Sequence, residues 1–324
     1  MRLRWITFGV VVLLLGTGLL IFGLARGKGR IETITLATPQ GIPFMVTLAM
    51  EKMVNDLLPG VKASTQIADS EQGVLKLVSS GRSHFGLVTI PEIARTFPEA
   101  DQRNRSGLSF VMGGHVAMVA HLFVRRDVPI NTISDLTGRR VGLPEPGSEG
   151  EAMAKAILVT YGLNYKDIKP IFMRVEEQVK AFEVGFVDAV ILTVPVPSPV
   201  VSSPAAVKLA NTAKARLLSL DLGVIERLLQ SYPAYSQQTI EAGTYPGQAA
   251  GVLSVAVKSA IVAQKELSPD LVYLFLKTIT ENPEDFKRAC PLAPAYLGKN
   301  ALPGTALLSL HLGAERYYRE KGIL

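Results

Sequence analysis

The sequence predicts an α/β protein of two similar lobes behind an apolar N-terminal segment. Three observations predict it. Strand-like and helix-like stretches alternate along most of the 324 residues. One helix–glycine–strand unit occurs twice with the same internal spacing. An uncharged apolar run opens the chain.

That run covers residues 5–24 and is long enough to span a bilayer. Arg2 and Arg4 precede it, and Arg26, Lys28 and Arg30 follow it, so charge bias sets no orientation. It reads either as a signal peptide, with Gly23-Leu24-Ala25 as a poor small-residue cleavage site, or as a retained membrane anchor. Its length favours the anchor. Either way, the chain from about Ile31 is expected on the extracytoplasmic, periplasmic side.

Residues 34–38 then read as a strand, and Pro39-Gln40-Gly41-Ile42-Pro43 as a turn, with Pro43 suited to a first helical turn. Residues 44–58 have helical periodicity, with Met45, Leu48, Ala49 and Met53 on one face, and Pro59-Gly60 stops them. Further strands are predicted at 62–67, 85–90, 118–124, 140–143, 171–174 and 189–194. Residues 251–264 read as one strand returning from the second lobe to the first. A helix follows over 269–282, and the mixed-charge stretch 315–321 reads as a solvated helix.

The repeat organises these elements. Val74-Leu75-Lys76-Leu77-Val78-Ser79-Ser80-Gly81 runs on to Phe85-Gly86-Leu87-Val88-Thr89. Gln178-Val179-Lys180-Ala181-Phe182-Glu183-Val184-Gly185 runs on to Ala189-Val190-Ile191-Leu192-Thr193. Lys76 matches Lys180, Gly81 matches Gly185 and Thr89 matches Thr193 at one offset. Each glycine suits the left-handed position that closes a helix. The turn at 38–43 has a counterpart in Pro144-Glu145-Pro146-Gly147-Ser148. Two such lobes form a clamshell, and ligands of open parallel sheets bind beyond the carboxyl ends of the strands. The division predicted is residues 1–30 as the leader or anchor, 31–124 with 251–324 as the first lobe, and 125–250 as the second.

Charge excludes one class of partner. The chain carries 34 Lys and Arg against 28 Asp and Glu, a net of +6. Five of those bases lie in the first thirty residues, which hold no acid; the remainder is close to neutral. No nucleic-acid partner is therefore expected.

Catalytic patterns are missing as well. His84, His115, His121 and His311 form no HxxxH or HExxH pair, so no metal site is expected. There is no GxSxG or GxxxxGK[ST] motif, and Gly16-Thr17-Gly18 lacks the third glycine of a dinucleotide loop. Cys290 is the single cysteine and reads as a small apolar residue. The expectation is a binding protein with no cofactor, not an enzyme.

The strongest binding signal is Gly147-Ser148-Glu149-Gly150-Glu151. Ser148 and Glu151 have capping-box spacing, and a helix start offers free N–H groups to an anion. Glu149 and Glu151 oppose a second anionic group and could meet an ammonium. A small amphoteric or monocarboxylate ligand fits them better than phosphate. Arg174, at a strand end, reads either as a bidentate carboxylate clamp or as a solvated surface arginine.

Several motifs carry a family resemblance: Ile133-Ser134-Asp135-Leu136-Thr137-Gly138-Arg139-Arg140-Val141, Pro146-Gly147-Ser148, Asp167-Ile168-Lys169-Pro170 and Gly185-Phe186-Val187-Asp188-Ala189. More specific are Ala242-Gly243-Thr244-Tyr245-Pro246-Gly247-Gln248, and Tyr317-Tyr318 within residues 313–320. On these the chain resembles the TAXI group of solute-binding proteins of tripartite ATP-independent periplasmic (TRAP) transporters. The resemblance implies a periplasmic-binding-protein fold of the second type. It implies capture of a small organic solute, a carboxylate or amino acid, and delivery to membrane permease subunits driven by an ion gradient.

The ligand contacts expected between the lobes are Thr38, Gln40, Phe44, Asp69, Ser70, Thr89, Ser148, Glu149, Glu151, Arg174, Thr193 and Pro195. The sequence departs from the group in these loops. Ala37-Thr38-Pro39 stands for Gly-Thr-Gly, Ala68-Asp69-Ser70-Glu71 for Thr-Gly-Gly-Ser, Thr89 for a glutamine, and Val194-Pro195 for a glycine pair. Pro195 removes a backbone donor. A second reading follows from these departures: a sensor or scaffold with a degenerate site, acting with a membrane signalling partner.

Overall fold

The computed structural model describes residues 32–97, 107–113, 117–196, 203–212, 214–291 and 307–324. The apolar run at 5–24, with its signal-or-anchor reading, lies outside the described residues, as does His115. Among the described residues no helix is long and apolar enough to cross a membrane.

In the first half, β1 (Glu32–Pro39), α1 (Ile42–Leu57), β2 (Val61–Ala68), α2 (Glu71–Ser79), β3 (Phe85–Thr89), α3 (Ile90–Thr96) and β4 (Leu108–Gly113) follow in order. Then come β5 (Ala117–Arg125), β6 (Arg140–Leu143), α4 (Glu149–Thr160), β7 (Lys169–Phe172), α5 (Val175–Glu183) and β8 (Ala189–Val196). The chain continues with α6 (Pro204–Ala210), β9 (Ala215–Leu217), α7 (Leu222–Ser231), β10 (Tyr235–Ile240) and β11 (Val252–Val257). It ends with β12 (Ser259–Gln264), α8 (Pro269–Thr280), α9 (Pro283–Ala289) and α10 (Leu312–Glu320).

These strands make two sheets of matching design. The first runs β2-β1-β3-β12-β4 and the second β7-β6-β8-β5-β11-β10, with β9 beside β5. In each, three strands lie parallel and the fourth antiparallel to them. The repeat read from three identities is therefore a repeat of topology. Its helix ends match too. Gly81 and Gly185 have φ of 77° and 73°. The next residues, Arg82 and Phe186, donate their N–H to Leu77 O and Ala181 O at 2.9 and 2.8 Å. That is the same left-handed helix stop in both lobes.

Two details of strand pairing differ from the sequence reading. Residues 251–264 form two strands, broken at Lys258, and each strand joins a different sheet. β5, placed in the first lobe by the 124/125 boundary, pairs with β8, β9 and β11 of the second sheet. The chain therefore crosses between sheets after β4 and again at Lys258. An alternating apolar strand reads the same in either sheet, so periodicity could not place it.

The buried face of α1 is Val46, Ala49, Met50, Met53 and Val54, while Met45 and Leu48 are exposed. The stripe follows the i, i+3, i+4 pattern from Val46 rather than from Met45. Helix α10 is not a solvated helix. It buries Gly313, Ala314, Tyr317 and Tyr318, and the Tyr318 hydroxyl donates to Val111 O at 3.0 Å.

Each sheet carries a core on both faces. In the first lobe one cluster joins β1, β3, α1, α8 and α10, with Phe85 stacked on Phe275 at 4.4 Å, and a second joins α2, β3 and α3. The second lobe has the same arrangement around α4 on one face and α5 on the other. Burial on both faces is what near-continuous apolar strands such as Phe85–Thr89 require. Parallel pairing brings the carboxyl ends of β1 and β3 to one side of their sheet and those of β6 and β8 to one side of theirs, and Lys258 precedes Ser259 where it pairs with the end of β3 at Thr89.

Candidate functional site

The two lobes meet at a buried polar cluster. Thr89 closes β3 and is the N-cap of α3, in which Pro91, two residues later, holds the second position. That helix carries Glu92 and Arg95 one turn apart. From α2, one residue past the N-cap Ser70, Glu71 turns back toward the same point. From the second lobe, Glu149 is the first residue of α4, and Tyr235 opens β10.

The contacts are short and cross the seam. Glu71 Oε2 accepts from Thr89 N–H at 2.9 Å and Thr89 Oγ1 at 2.6 Å. Arg95 Nη2 donates to Glu149 Oε2 at 2.5 Å and to Glu92 Oε2 at 2.7 Å. Tyr235 donates its hydroxyl to Glu149 Oε1 at 3.2 Å, and Thr89 Oγ1 lies 3.5 Å from Glu149 Oε2. Two carboxylates, Glu92 and Glu149, thus share one guanidinium, and a third, Glu71, sits behind Thr89. The Glu149 side chain is only 7% exposed.

This crowding shows in the proton affinities. Burial pushes the Glu71 carboxyl up to about 7, against the two Thr89 donors, and the Glu149 and Glu92 charges add to the rise. Burial also raises Glu149, with Arg95 opposing. For Arg95, burial works against the charge, and Glu149 and Glu92 outweigh it, holding the guanidinium above its ordinary range. Burial and the neighbouring Glu149 raise Tyr235, which stays a neutral donor.

Beside the cluster opens a cavity of about 630 Å³. Arg95 and Tyr235 line it together with Glu151, Lys155, Val159 and Leu307. Its walls come from α3, α4, the turn after α7 and the segment before α10. Ala234, in that turn, packs on the first-lobe cluster, so the second lobe is seated against the first here.

The structure brings some of the expected residues together and separates others. Thr89 and Glu149 meet at the seam. Thr193, on β8, lies against the start of α4: a Cβ on Gly150 would come 2.9 Å from Thr193 Oγ1 and 3.0 Å from Pro144 Cγ. Only glycine allows that approach. Thr38 is fully buried at the end of β1, and its hydroxyl donates to Pro39 O at 3.1 Å. Gln40, Asp69 and Ser70 are exposed, and Phe44 is half-buried. Ser70 caps α2 by accepting from Gly73 N–H at 3.1 Å. Pro195 pairs with Met118 across β8 and β5.

Ser148 caps α4 by accepting from Glu151 N–H at 3.1 Å, but the capping box is half made. The Glu151 carboxylate accepts instead from the Tyr165 hydroxyl. Arg174 is a surface residue, 73% exposed, beside Glu145 at 3.4 Å. Of its two readings the solvated one describes this position.

Sequence reasoning missed Glu71 as a seam residue, and Glu92, Arg95, Lys155 and Tyr235 altogether. Their signal was faint: a proline-started helix directly after the repeat's terminal threonine. Among the described residues no group of His, Cys, Asp and Glu could hold a metal ion. His121 is buried, which lowers its ring to about 4 and keeps it neutral. His84 Nδ1 accepts from Thr35 N–H at 3.1 Å, and His311 Nδ1 caps α10 by accepting from Gly313 N–H at 3.2 Å. All three serve structure.

Residues 37–322 match the sequence profile of the NMT1-like family. Among solved structures, PhnD1 from Prochlorococcus marinus, in complex with methylphosphonate, superposes with a TM-score of 0.55 at 10% identity, covering 90% of this chain and 99% of that one. XAC2383 from Xanthomonas citri, bound to ATP, gives 0.53 at 13% identity, over 90% and 97%. The periplasmic aliphatic sulphonate binding protein SsuA from Escherichia coli gives 0.48 at 18% identity, over 82% and 81%. The fold is that of two-lobed periplasmic binding proteins.

Proposed function

This chain belongs to the NMT1-like family, and we propose that it is an extracytoplasmic solute-binding receptor of a membrane transporter. One observation carries the reading. Two sheets whose first four strands share one order and sense, joined by two crossings, present polar side chains from both sides to one seam beside a 630 Å³ cavity. A ligand touching both lobes shifts a hinge equilibrium, and two crossing strands are a hinge of that kind. The apolar run at 5–24 supports export, cleaved or anchored.

The finer reading keeps the transporter as a TRAP type of the TAXI group, and the solute as a small organic acid or amino acid. The motif resemblance supports the first. Arg95 and Lys155 at the cavity support the second. Two proteins of this fold hold the anions methylphosphonate and ATP, which is in keeping with an acidic solute. The solute contacts follow the seam: Thr89, Glu149, Glu151 and Thr193, with the turn at Thr38, Gln40 and Phe44 and the loop at Asp69 and Ser70 on the first lobe. Ser148, Pro195 and Arg174 complete the proposed set on the second.

A thermal-shift screen of the purified chain against amino acids, keto acids, dicarboxylates, phosphonates and sulfonates tests this, because a ligand that binds only the folded state raises the midpoint. A stabilising acid is expected. No stabiliser across the panel would overturn the receptor reading. It would favour the sensor or scaffold, a role that a seam filled by Glu71 and Glu149 also suits.

A further inference from the structure

The geometry points to Arg95 and Tyr235 as an anion seat that the chain's own Glu149 fills when no solute is bound, and solute acid groups enter by displacing it. The proposal rests on the receptor reading for its solute, and on the seam's geometry for its seat.

Glu149 makes the contacts expected of a bound carboxylate. Its two oxygens are held separately, Oε2 by Arg95 Nη2 at 2.5 Å and Oε1 by the Tyr235 hydroxyl at 3.2 Å. Arg95 belongs to the first lobe and Tyr235 to the second, so the carboxylate joins the two halves as a solute would. Thr89 forms the wall behind it. The single hydroxyl proton of Thr89 serves Glu71 at 2.6 Å, which leaves its 3.5 Å approach to Glu149 the weaker contact. Charge-assisted bonds of the Arg–carboxylate kind are the strong ones here.

Two further features suit an occupant that can leave. Glu149 is the first residue of α4, directly after its cap. Rotation about its side chain carries the carboxylate out to the helix N-terminus, where the free N–H groups favour an anion. And Arg95 and Tyr235 face two ways. They hold Glu149 inside, and they line the cavity, whose other walls include apolar Ala156, Val159, Pro233 and Leu307. An acid that took the seat would have room for its body, with Lys155 near its far end. The neighbouring acids set the charge limit. Glu92 draws on the same Arg95, and Glu71 lies behind Thr89, so the seam accepts one full carboxylate in the seat and expels Glu149 as another enters.

Sodium acetate, as the smallest carboxylate, is the probe, with methylammonium chloride at equal ionic strength as the charge-reversed control. In the full chain, Glu149→Gln keeps the shape and removes the competing charge. Its affinity for acetate, read by thermal shift, is expected to exceed the parent's by about tenfold or more. That is the gain when an occupant holding the seat some nine times in ten is removed. Glu149→Ala should melt lower than the parent and recover with acetate but not with methylammonium. Arg95→Met, on a half-exposed helix position, should bind acetate in neither background.

Equal responses to acetate and methylammonium, or acetate binding that survives Arg95→Met, would overturn the seat. If the alanine variant does not fold, the glutamine and methionine variants decide the matter alone. The seat and the receptor reading fail separately. A screened solute that binds Arg95→Met as well as the parent removes the seat and leaves the receptor. Acetate rescue without any natural stabiliser does the reverse.

Discussion

Replacing Glu71 with glutamine should remove an instability that grows with pH. The carboxyl of Glu71 ordinarily ionises near 4.5, and in the folded chain near 7. Between those values the folded chain keeps a proton that the unfolded chain has released. Unfolding therefore releases a proton, and rising pH favours it. The stabilising contribution of the protonated form is whole below 4.5 and is lost as pH climbs through 7.

At about 1.4 kcal/mol for each tenfold change in proton affinity, the gap between 4.5 and about 7 amounts to about 3 kcal/mol. Three features make this a ceiling. Glu71 as a residue is half-buried although its carboxyl end is desolvated. Opening of the lobes would hydrate the carboxylate short of global unfolding. The glutamine oxygen can still accept from Thr89 N–H and Oγ1, but its NH₂ needs an acceptor of its own.

The assay is urea denaturation of parent and variant at several pH values from about 4.5 to 8. Other titrating groups largely cancel in the difference. The variant should gain on the parent by about 1 to 3 kcal/mol at the alkaline end, with little difference at the acid end. A difference that stays flat across the range, or a parent that is the more stable at pH 8, would refute the reasoning.

Two further outcomes test the packing. Gly313→Ala would put a Cβ 2.1 Å from Pro269 O and 3.0 Å from Tyr273 N, where α10 lies on α8. Backbone cannot yield that much, so a loss of about 2 to 4 kcal/mol is expected in denaturant unfolding. Asp188→Asn removes the charge that accepts from Arg140 N–H at 2.9 Å and Nη2 at 2.6 Å. A cost of about 1 to 2 kcal/mol is expected at neutral pH, reduced by the half-exposed Arg140. Burial pushes the Asp188 carboxyl up and its bonds to Arg140 pull it further down, so its pKa lies below the ordinary 3.8. This stability is present above that ordinary value and lost as pH falls through the lower folded one, so urea titration should show the gap closing toward acid.

Much of the fold was legible because it is written locally. Arg140–Leu143 is a strand at the predicted residues, and Pro269 opens α8 as an N-terminal proline should. Gly81 and Gly185 stop their helices in the same left-handed turn. The lobe boundary was not legible. Residues 251–264 carry one apolar pattern across the break at Lys258, and the partner sheet of each half is a matter of pairing. The site was legible in part. Thr89 stood out as the repeat's last residue and Glu149 as the second residue after a helix-start glycine. Arg95 and Tyr235, 140 positions apart in the chain, share nothing in sequence.

The order of strands and helices, their glycine stops, the doubling of the lobe and the near-neutral body were determined by the amino-acid sequence alone, because backbone propensity, apolar period and net charge are local or additive quantities. Which strands cross between sheets, and which acids are brought under one arginine, were decided only by tertiary structure. Desolvation and Coulomb energy depend on distances that close when the lobes pack. An acid at position 71 or 149 is ordinary in the chain, and becomes a proton holder or an internal ligand only when burial has removed its water.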